Sequence, residues 1–397
     1  MRKVALMTKK ILVTEDLVQE GIDSLTEHGY EVDMLIDPTA EELASAIAPY
    51  DALIVHPNTV VDSSLLDAAE NLKIIGRAGV TVDNIDIEAA SERGVIVCNA
   101  PNSNVISAAE HTMALLLAAA RHIPEASASM HEGQWRRADF MGSELFGKTL
   151  AIFGLGRVGG LVAERAAAFG MNLIGHDPYC SPERALHLGV TLYDDMAPVL
   201  AQADFITVHL PRTVSTLGMF GADEFAAMKD GVRIVNLARG ELVNDDDMLA
   251  ALDSGKVACY VTDFPNGKTA NMPGCIAIPH LGASTEESED NCAKMAVQEL
   301  MDYLENGNIK NSVNYPNCDM GVCRAEGRIT LLHRNIPNSL GRFTAAIAGE
   351  NINIDGLVNK SRGEYAYTML DLDRHPSADA VEHLKQIDGV LKVRVIK

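Results

Sequence analysis

Aromatic residues are scarce in this chain: they make up 5% of 397 residues, with a single tryptophan, Trp135. No apolar run reaches the ~18 residues that a bilayer-spanning helix needs, so no membrane partner is expected. Positive charge is also short, with 33 Lys and Arg against 55 Asp and Glu and a formal charge of −22. A surface of that sign repels nucleic acid and anionic lipid, so neither is expected as a partner. Seven cysteines (Cys98, Cys180, Cys259, Cys275, Cys292, Cys318, Cys323) are an odd number spread over a long chain, which is no disulfide framework. Cys318 and Cys323 lie closest, but neither a second pair nor a nearby His completes four zinc ligands, and no metal is expected. The opening MRKVALMTKKILVTEDL lacks a long apolar core and a small-residue cleavage site. The expected compartment is the cytoplasm.

What the chain does have is regular alternation. KKILVTEDL reads as a buried strand and VQEGIDSLTEHG as a helix closed by Gly29; YEVDMLID, DALIVHP, KIIGRAG and VIVCNAP follow as strands between helical stretches. Such alternation indicates a parallel sheet covered by helices on both faces. SAAEHTMALLLAAARHIPEASASM reads as one long apolar helix, a spine between domains, and a second α/β unit opens at Gly147. After the helix EDNCAKMAVQELMDYLENG comes a polar linker, then strand, helix, strand, strand, helix, strand in about 70 residues. The expected fold is α/β: two doubly wound parallel-sheet domains, one Rossmann-type and one flavodoxin-like, plus a C-terminal ferredoxin-like βαββαβ domain. Expected boundaries are 1–102 with 294–316 for a discontinuous substrate domain, 103–293 for the cofactor domain, 317–327 for the linker and 328–397 for the last domain.

Gly154-Leu155-Gly156-Arg157-Val158-Gly159 is a GxGxxG motif after the apolar strand Leu150–Phe153 and at the start of a helix. The first Gly permits the tight turn, the second lets backbone approach a pyrophosphate, and the third lets helix and strand pack closely. Phosphates would sit on the helix N-terminus. Asp177, 18 residues past Gly159, follows the next strand and is placed to accept hydrogen bonds from ribose hydroxyls. A carboxylate there repels a 2′-phosphate, so the expected cofactor is NAD.

Hydride chemistry on a 2-hydroxy acid needs a cation for the carboxylate, which favours Arg. It needs a base titrating near neutrality, which favours His, and a carboxylate to orient that His. Asn236-Leu237-Ala238-Arg239-Gly240-Glu241-Leu242-Val243, Pro279-His280-Leu281-Gly282-Ala283-Ser284-Thr285 and Gly76-Arg77-Ala78-Gly79-Val80 with Val82-Asp83-Asn84 resemble the signatures of the D-2-hydroxyacid dehydrogenases. The resemblance covers nearly the whole chain, and the C-terminal unit looks like an ACT domain. It implies that Arg239 binds substrate carboxylate and carbonyl and that His280 is the acid/base. Asp263 would contact the nicotinamide carboxamide, and Ala238 and Gly282 would border the cofactor. The His209-Leu210-Pro211 turn would line the cofactor crevice. Arg77, Ala78, Gly79 and Val80 would seat the substrate, with Asn102 and Ser103 at the crossing into the cofactor domain, where a hinge is expected. Within the family the expected reaction is oxidation of D-3-phosphoglycerate, the first step of L-serine biosynthesis.

Two departures stand out. Family members carry a Glu several residues after the Asp263 position to pair with the His; this chain reads Asp263-Phe264-Pro265-Asn266-Gly267-Lys268-Thr269, with Lys268 near the Glu position. Where members acting on the phosphorylated acid have Arg-Ser, this chain has His56-Pro57-Asn58. Arg77, Arg136 and Arg137 are then the remaining cations for a phosphate. Two alternatives stay open: a dehydrogenase for a different, unphosphorylated acid, and a non-catalytic NAD-sensing protein. Trp135 in Gly133-Gln134-Trp135-Arg136-Arg137 resembles a family Trp that reaches a neighbouring subunit's active site, and a homodimer or homotetramer is expected. His333-Arg334-Asn335-Ile336-Pro337-Asn338 resembles the amino-acid-binding loop of ACT domains. There His333, Asn335 and Asn353 would grip an effector, L-serine, although the family has Gly where Asn338 stands.

Overall fold

The computed structural model describes residues 8–14, 19–56 and 58–397. Pro57 and much of the N-terminal stretch discussed above lie outside the described residues. The chain forms two compact units, one of residues 1–103 with 289–397 and one of residues 104–288.

The first unit begins with β1 (Lys10–Val13), α1 (Gln19–Glu27), β2 (Glu31–Met34), α2 (Ala40–Ala46), β3 (Ala52–Val55), α3 (Ser63–Ala68), β4 (Ile74–Arg77), α4 (Ile87–Glu92) and β5 (Ile96–Asn99). The strands pair in the order β2-β1-β3-β4-β5, all parallel, which is the flavodoxin-like order. Ala-Leu-Ile-Val of β3 is buried at every position, as a central strand covered on both faces requires.

The second unit comprises α5 (Val105–Arg121), α6 (Ile123–His131), β6 (Thr149–Phe153), α7 (Arg157–Ala168), β7 (Asn172–His176), α8 (Pro182–His187), β8 (Thr191–Leu192), α9 (Met196–Gln202), β9 (Phe205–Val208), α10 (Ala222–Ala227), β10 (Val232–Asn236), α11 (Asp245–Asp253), β11 (Val257–Thr262) and β12 (Cys275–Ala277). Its seven parallel strands run β12-β11-β10-β9-β6-β7-β8. The order reverses between β6 and β9, and a ligand crevice belongs at the carboxyl ends of strands at such a switch point. The single long helix expected here is two. His122 takes a left-handed conformation (φ 51°) and ends α5, and α6 starts with Pro124 near its N-terminus. Proline has no N–H for the ladder and its ring clashes with the preceding turn, so a continuous helix breaks there.

α12 (Glu286–Asn306) returns the chain to the first unit, followed by β13 (Gly327–Arg334), α13 (Ser339–Gly349), β14 (Ile354–Arg362), β15 (Tyr365–Leu372), α14 (Ala378–Lys385) and β16 (Val390–Val395). The last four strands form an antiparallel sheet, β14-β15-β13-β16, with the ferredoxin-like connection. The sequence sets this part off as a separate domain from residue 328, but it packs within the first unit. Leu332, Tyr367 and Met369 share one apolar cluster with Ile11, Ile54 and Ile74. α12 supplies the middle of that cluster through Ala293, Ala296, Val297, Leu300, Tyr303 and Leu304, the 3–4 spacing of one helix face. Among the described residues no helix is long and apolar enough to cross a membrane.

Candidate functional site

The Gly-rich turn is built as its residue types require. Gly154 has φ +93°, and a Cβ there would lie 2.6 Å from the His209 carbonyl oxygen. At Gly159 a Cβ would lie 2.0 Å from the Gly154 carbonyl oxygen, so α7 and β6 approach to a distance only glycine allows. A Cβ at Gly156 would meet nothing within 4 Å, which leaves the space a pyrophosphate needs beside the α7 N-terminus. Gly156 has no side chain to cap the first-turn N–H groups, and they are left to a ligand. These residues fit a dinucleotide. Asp177 follows β7; its Oδ2 accepts from the Leu155 N–H (2.8 Å) and its Oδ1 from the Tyr179 N–H (2.8 Å). The carboxylate thus ties the Gly-rich loop to the end of β7. His209 sits at the end of β9, where its N–H donates to the Phe153 carbonyl and a ring nitrogen meets Thr207 Oγ1 (2.9 Å). Burial pushes its imidazole down to about 4, so it stays neutral. Pro211 is exposed two residues on.

Arg239 and His280 come together on three loops at the carboxyl ends of β10, β11 and β12. Asn236 clamps the first loop: its Nδ2 donates to the Arg239 carbonyl (2.8 Å) and its Oδ1 accepts from the Ala238 N–H (3.0 Å). Asp263 joins the other two. Its N–H donates to the Asn236 carbonyl (3.2 Å), and its own carbonyl accepts from the His280 N–H (3.0 Å). Its carboxylate, 1% exposed, accepts from the Leu281 and Gly282 N–H groups, both at 2.7 Å. The expected partner of Asp263 is a cofactor amide; here its carboxylate is committed to the loop that carries His280. A Cβ at Gly282 would lie 2.9 Å from Asp263 Oδ2, which accounts for the glycine. His280 itself holds φ +56°, an uncommon conformation for a side-chain-bearing residue and one that concentrates at functional sites.

His280 lines a cavity of about 630 Å³ together with Gly240, Glu241, Asp245, Asp263 and Phe264. Arg239 Nη1 donates to the Ala238 carbonyl (2.7 Å), and its guanidinium lies over the Phe264 ring, 4.9 Å from the centroid. Lys268, near the expected Glu position, pairs instead with Asp246 at the start of α11.

The remaining predicted residues are placed as follows. Arg77 ends β4 and is 6% exposed, with Nη1 donating to the Ala78 carbonyl (3.0 Å). Gly79 (φ +156°) makes room for it, since a Cβ there would overlap that guanidinium at 1.6 Å. Val80, 37% exposed, is steadied by Asn99, whose amide donates to its carbonyl. Burial first, then the neighbouring Arg77, lower the His56 pKa. Asn102 Oδ1 is buried without a hydrogen-bond partner among the described residues; Ser103 donates to the Ala100 carbonyl (2.8 Å). Trp135 is 81% exposed, Arg136 pairs with Asp139 (2.8 Å), and Arg137 opens the short turn that follows.

The expected effector trio is not assembled. His333 is 2% exposed, with one ring nitrogen on the Arg334 carbonyl (2.8 Å) and the other on Thr368 Oγ1 (2.9 Å). Asn335 donates to the Gly363 carbonyl (3.2 Å) at that same end of the sheet. Asn353 precedes β14, where the register aligns Ile354 and Gly327 with Leu372, whereas Arg334 aligns with Tyr365. Seven residue rises, about 23 Å, separate the two ends, so Asn353 cannot share a ligand with His333 within one chain.

Residues 113–282 match the family model described as D-isomer specific 2-hydroxyacid dehydrogenase, NAD binding domain. The chain is 44% identical to a D-3-phosphoglycerate dehydrogenase of Archaeoglobus fulgidus over 78% of its own length and 60% of the relative's. It is 40% identical to a D-3-phosphoglycerate dehydrogenase of Mycobacterium leprae over 87% of its own length and 68% of the relative's. The crystal structure of the TT0316 protein from Thermus thermophilus superposes with a TM-score of 0.65 at 32% identity, covering 77% of this chain and 99% of that one. The chain spans about 60% of the length of the first curated relatives it matches.

Proposed function

The chain belongs to the D-isomer specific 2-hydroxyacid dehydrogenase family, and from that premise we propose that it oxidises D-3-phosphoglycerate to 3-phosphohydroxypyruvate with NAD, the entry step to L-serine. The observation that carries the reading is the joining of Arg239 and His280 by Asn236 and Asp263 in the same unit as a dinucleotide turn. The names of the relatives support the phosphorylated substrate. NAD, held on the Gly154–Gly159 turn, supplies the hydride acceptor. Arg239 anchors the substrate carboxylate by charge-assisted hydrogen bonds. An imidazole nitrogen of His280 takes the hydroxyl proton as the carbonyl forms. The hydrogen bonds of Asn236 and the buried Asp263 hold the two loops together, and such fixed spacing lowers the entropic part of the barrier.

A second reading, an unphosphorylated 2-hydroxy acid, is favoured by one observation: Arg77 is buried and donates to the Ala78 carbonyl of its own loop, and burial disfavours charge on the neighbouring His56. NADH oxidation with 3-phosphohydroxypyruvate, hydroxypyruvate, glyoxylate and 2-oxoglutarate separates the two. A kcat/KM at least about tenfold higher for the phosphorylated acid is expected, and preference for any other acid removes the named substrate.

We place the protein in the cytoplasm, where its seven free cysteines stay reduced. We also propose a homo-oligomer: Trp135 (81% exposed), Met141 (83%) and Phe146 (77%) all lie on the segment between α6 and β6, more apolar exposure than a solvated loop carries. Light scattering on the purified chain checks this, with a monomer as the contrary result. L-serine as an effector would use the Asn335–Asn338 turn before α13 without Asn353, and its addition to the same assay tests it.

A further inference from the structure

The missing acidic partner of His280 raises the question of what holds its imidazole. Among the described residues the ring makes no hydrogen bond, and the acidic groups around its cavity are all engaged elsewhere. Asp263 holds the Leu281 and Gly282 N–H groups, Asp245 accepts from Asn266 (2.7 Å), and Glu241 pairs with Arg212 (3.1 Å). Lys268, near the position where a Glu is usual, is drawn to Asp246. What the imidazole does meet is Phe264: ring centroids are 4.4 Å apart at 46°. The Arg239 guanidinium lies on that same phenyl ring, 4.9 Å from its centroid.

We infer that Phe264 is a positioning residue that orients Arg239 and His280 together, in place of the carboxylate. This rests on the reading of those two residues as anchor and acid/base. The backbone prepares the ring for the role. Phe264 N–H donates to Thr262 Oγ1 (3.1 Å), and its carbonyl lies so close to Gly240 that a Cβ there would stand 2.9 Å away. The glycine after Arg239 is thus what lets the 239–240 and 263–264 segments touch. A phenyl ring has two torsions and no titrating group, so it holds its neighbours in one geometry at every pH. Its negative face attracts a guanidinium and tolerates an imidazole in either protonation state. A carboxylate would instead pair with imidazolium and be lost on acidification. Coupling the anchor to the base through one rigid surface also means that disturbing it moves both.

The bland alternative is that Phe264 only fills space, and the variants are chosen to separate the two. Phe264→Leu keeps an apolar side chain but removes the π face; Phe264→Tyr keeps the face. With the preferred 2-oxo acid and NADH, Phe264→Leu is expected to lower kcat and to raise the KM for the acid. The product should be a fall in kcat/KM of about tenfold or more, as expected when both ring interactions are removed at once. Phe264→Tyr should stay within about threefold of the wild type, because the π face is retained. The Tm and the NADH affinity by fluorescence should change in neither. Selective labelling of histidine, with His280→Gln for assignment, should show His280 ring protons shifted by the phenyl ring current in the wild type and in Phe264→Tyr but not in Phe264→Leu. Equal losses in both variants, wild-type kinetics in Phe264→Leu, or an absent ring-current shift would overturn the inference. A present shift in a wild-type protein that turns over no 2-oxo acid would overturn the enzyme reading, and the positioning role with it, while leaving the stacking intact.

Discussion

At the scale of single residues, the roles proposed for Arg239 and His280 have separate kinetic signatures. On the proposed role, Arg239→Ala removes charge-assisted hydrogen bonds to the substrate carboxylate, together about 2–4 kcal/mol, so kcat/KM should fall about 30- to 10³-fold, much of it in KM. His280→Gln keeps the shape and removes the proton acceptor; kcat should fall about 10²–10⁴-fold with little change in KM. Steady-state kinetics checks both, and a normal kcat for His280→Gln would mean that another group takes the proton. Both residues were legible in the sequence, because Arg in Asn236–Val243 and His after Pro279 stand in recognisable surroundings. Phe264 was not legible. A lone aromatic in a loop carries no periodic signal, and its position under Arg239 appears only when β10 and β11 lie side by side. The part expected of Asp263 came only by resemblance, and the folded loop adds bonds from the Leu281 and Gly282 N–H groups to its carboxylate.

At the scale of elements, α12 carries a carboxylate on its buried face. Glu299 is 6% exposed; its Oε1 accepts from Asn311 Nδ2 (2.5 Å), while Oε2 has no hydrogen-bond partner among the described residues. Burial pushes its carboxyl up to about 7, outweighing the Asn311 hydrogen bond and the charge of Lys310. Between the ordinary value near 4.5 and about 7, the folded chain keeps a proton that the unfolded chain has released, so stability falls as pH rises through that window. The loss across the window is a few kcal/mol, on the order of 3. Glu299→Gln should therefore flatten the dependence of unfolding free energy on pH between about 5 and 7.5 and raise the stability of the first unit at neutral pH, measured by urea titration at several pH values. An unchanged slope would locate the proton elsewhere. α12 was legible as an amphipathic helix ending at Gly307, but the burial of its Glu299 beside Asn311 depends on segments that meet only in the fold.

At the scale of the whole molecule, a formal charge of −22 would face an anionic cofactor and the anionic substrate proposed above. Long-range repulsion slows their approach and is screened over about 8 Å at physiological ionic strength, whereas the short contacts to Arg239 are not. Raising salt from about 10 to 150 mM should thus increase kcat/KM for the phosphorylated acid, before ion binding at the site reverses the trend. A fall from the lowest salt upward would show that local cations, not net charge, govern the approach. Stopped-flow binding of NADH over the same range separates cofactor from substrate.

The order of strands and the dinucleotide turn follow from the sequence by itself, and its resemblances nominate Arg239 and His280. Apolar periodicity and glycine spacing are local, and each reports the backbone it needs. Three things were decided only by tertiary structure. His122 and Pro124 broke an apparent spine, through a backbone conformation that composition does not reveal. The register of β13, β14 and β15 put Asn353 at the far end of the sheet from His333, because strand pairing rather than loop resemblance sets which residues meet. And the support of His280 passed from a carboxylate to the Phe264 ring, because Lys268, Asp245 and Glu241 each found a nearer partner of opposite charge or hydrogen-bonding sense. Contacts between distant segments depend on distances of a few ångström, and those exist only after the chain has packed.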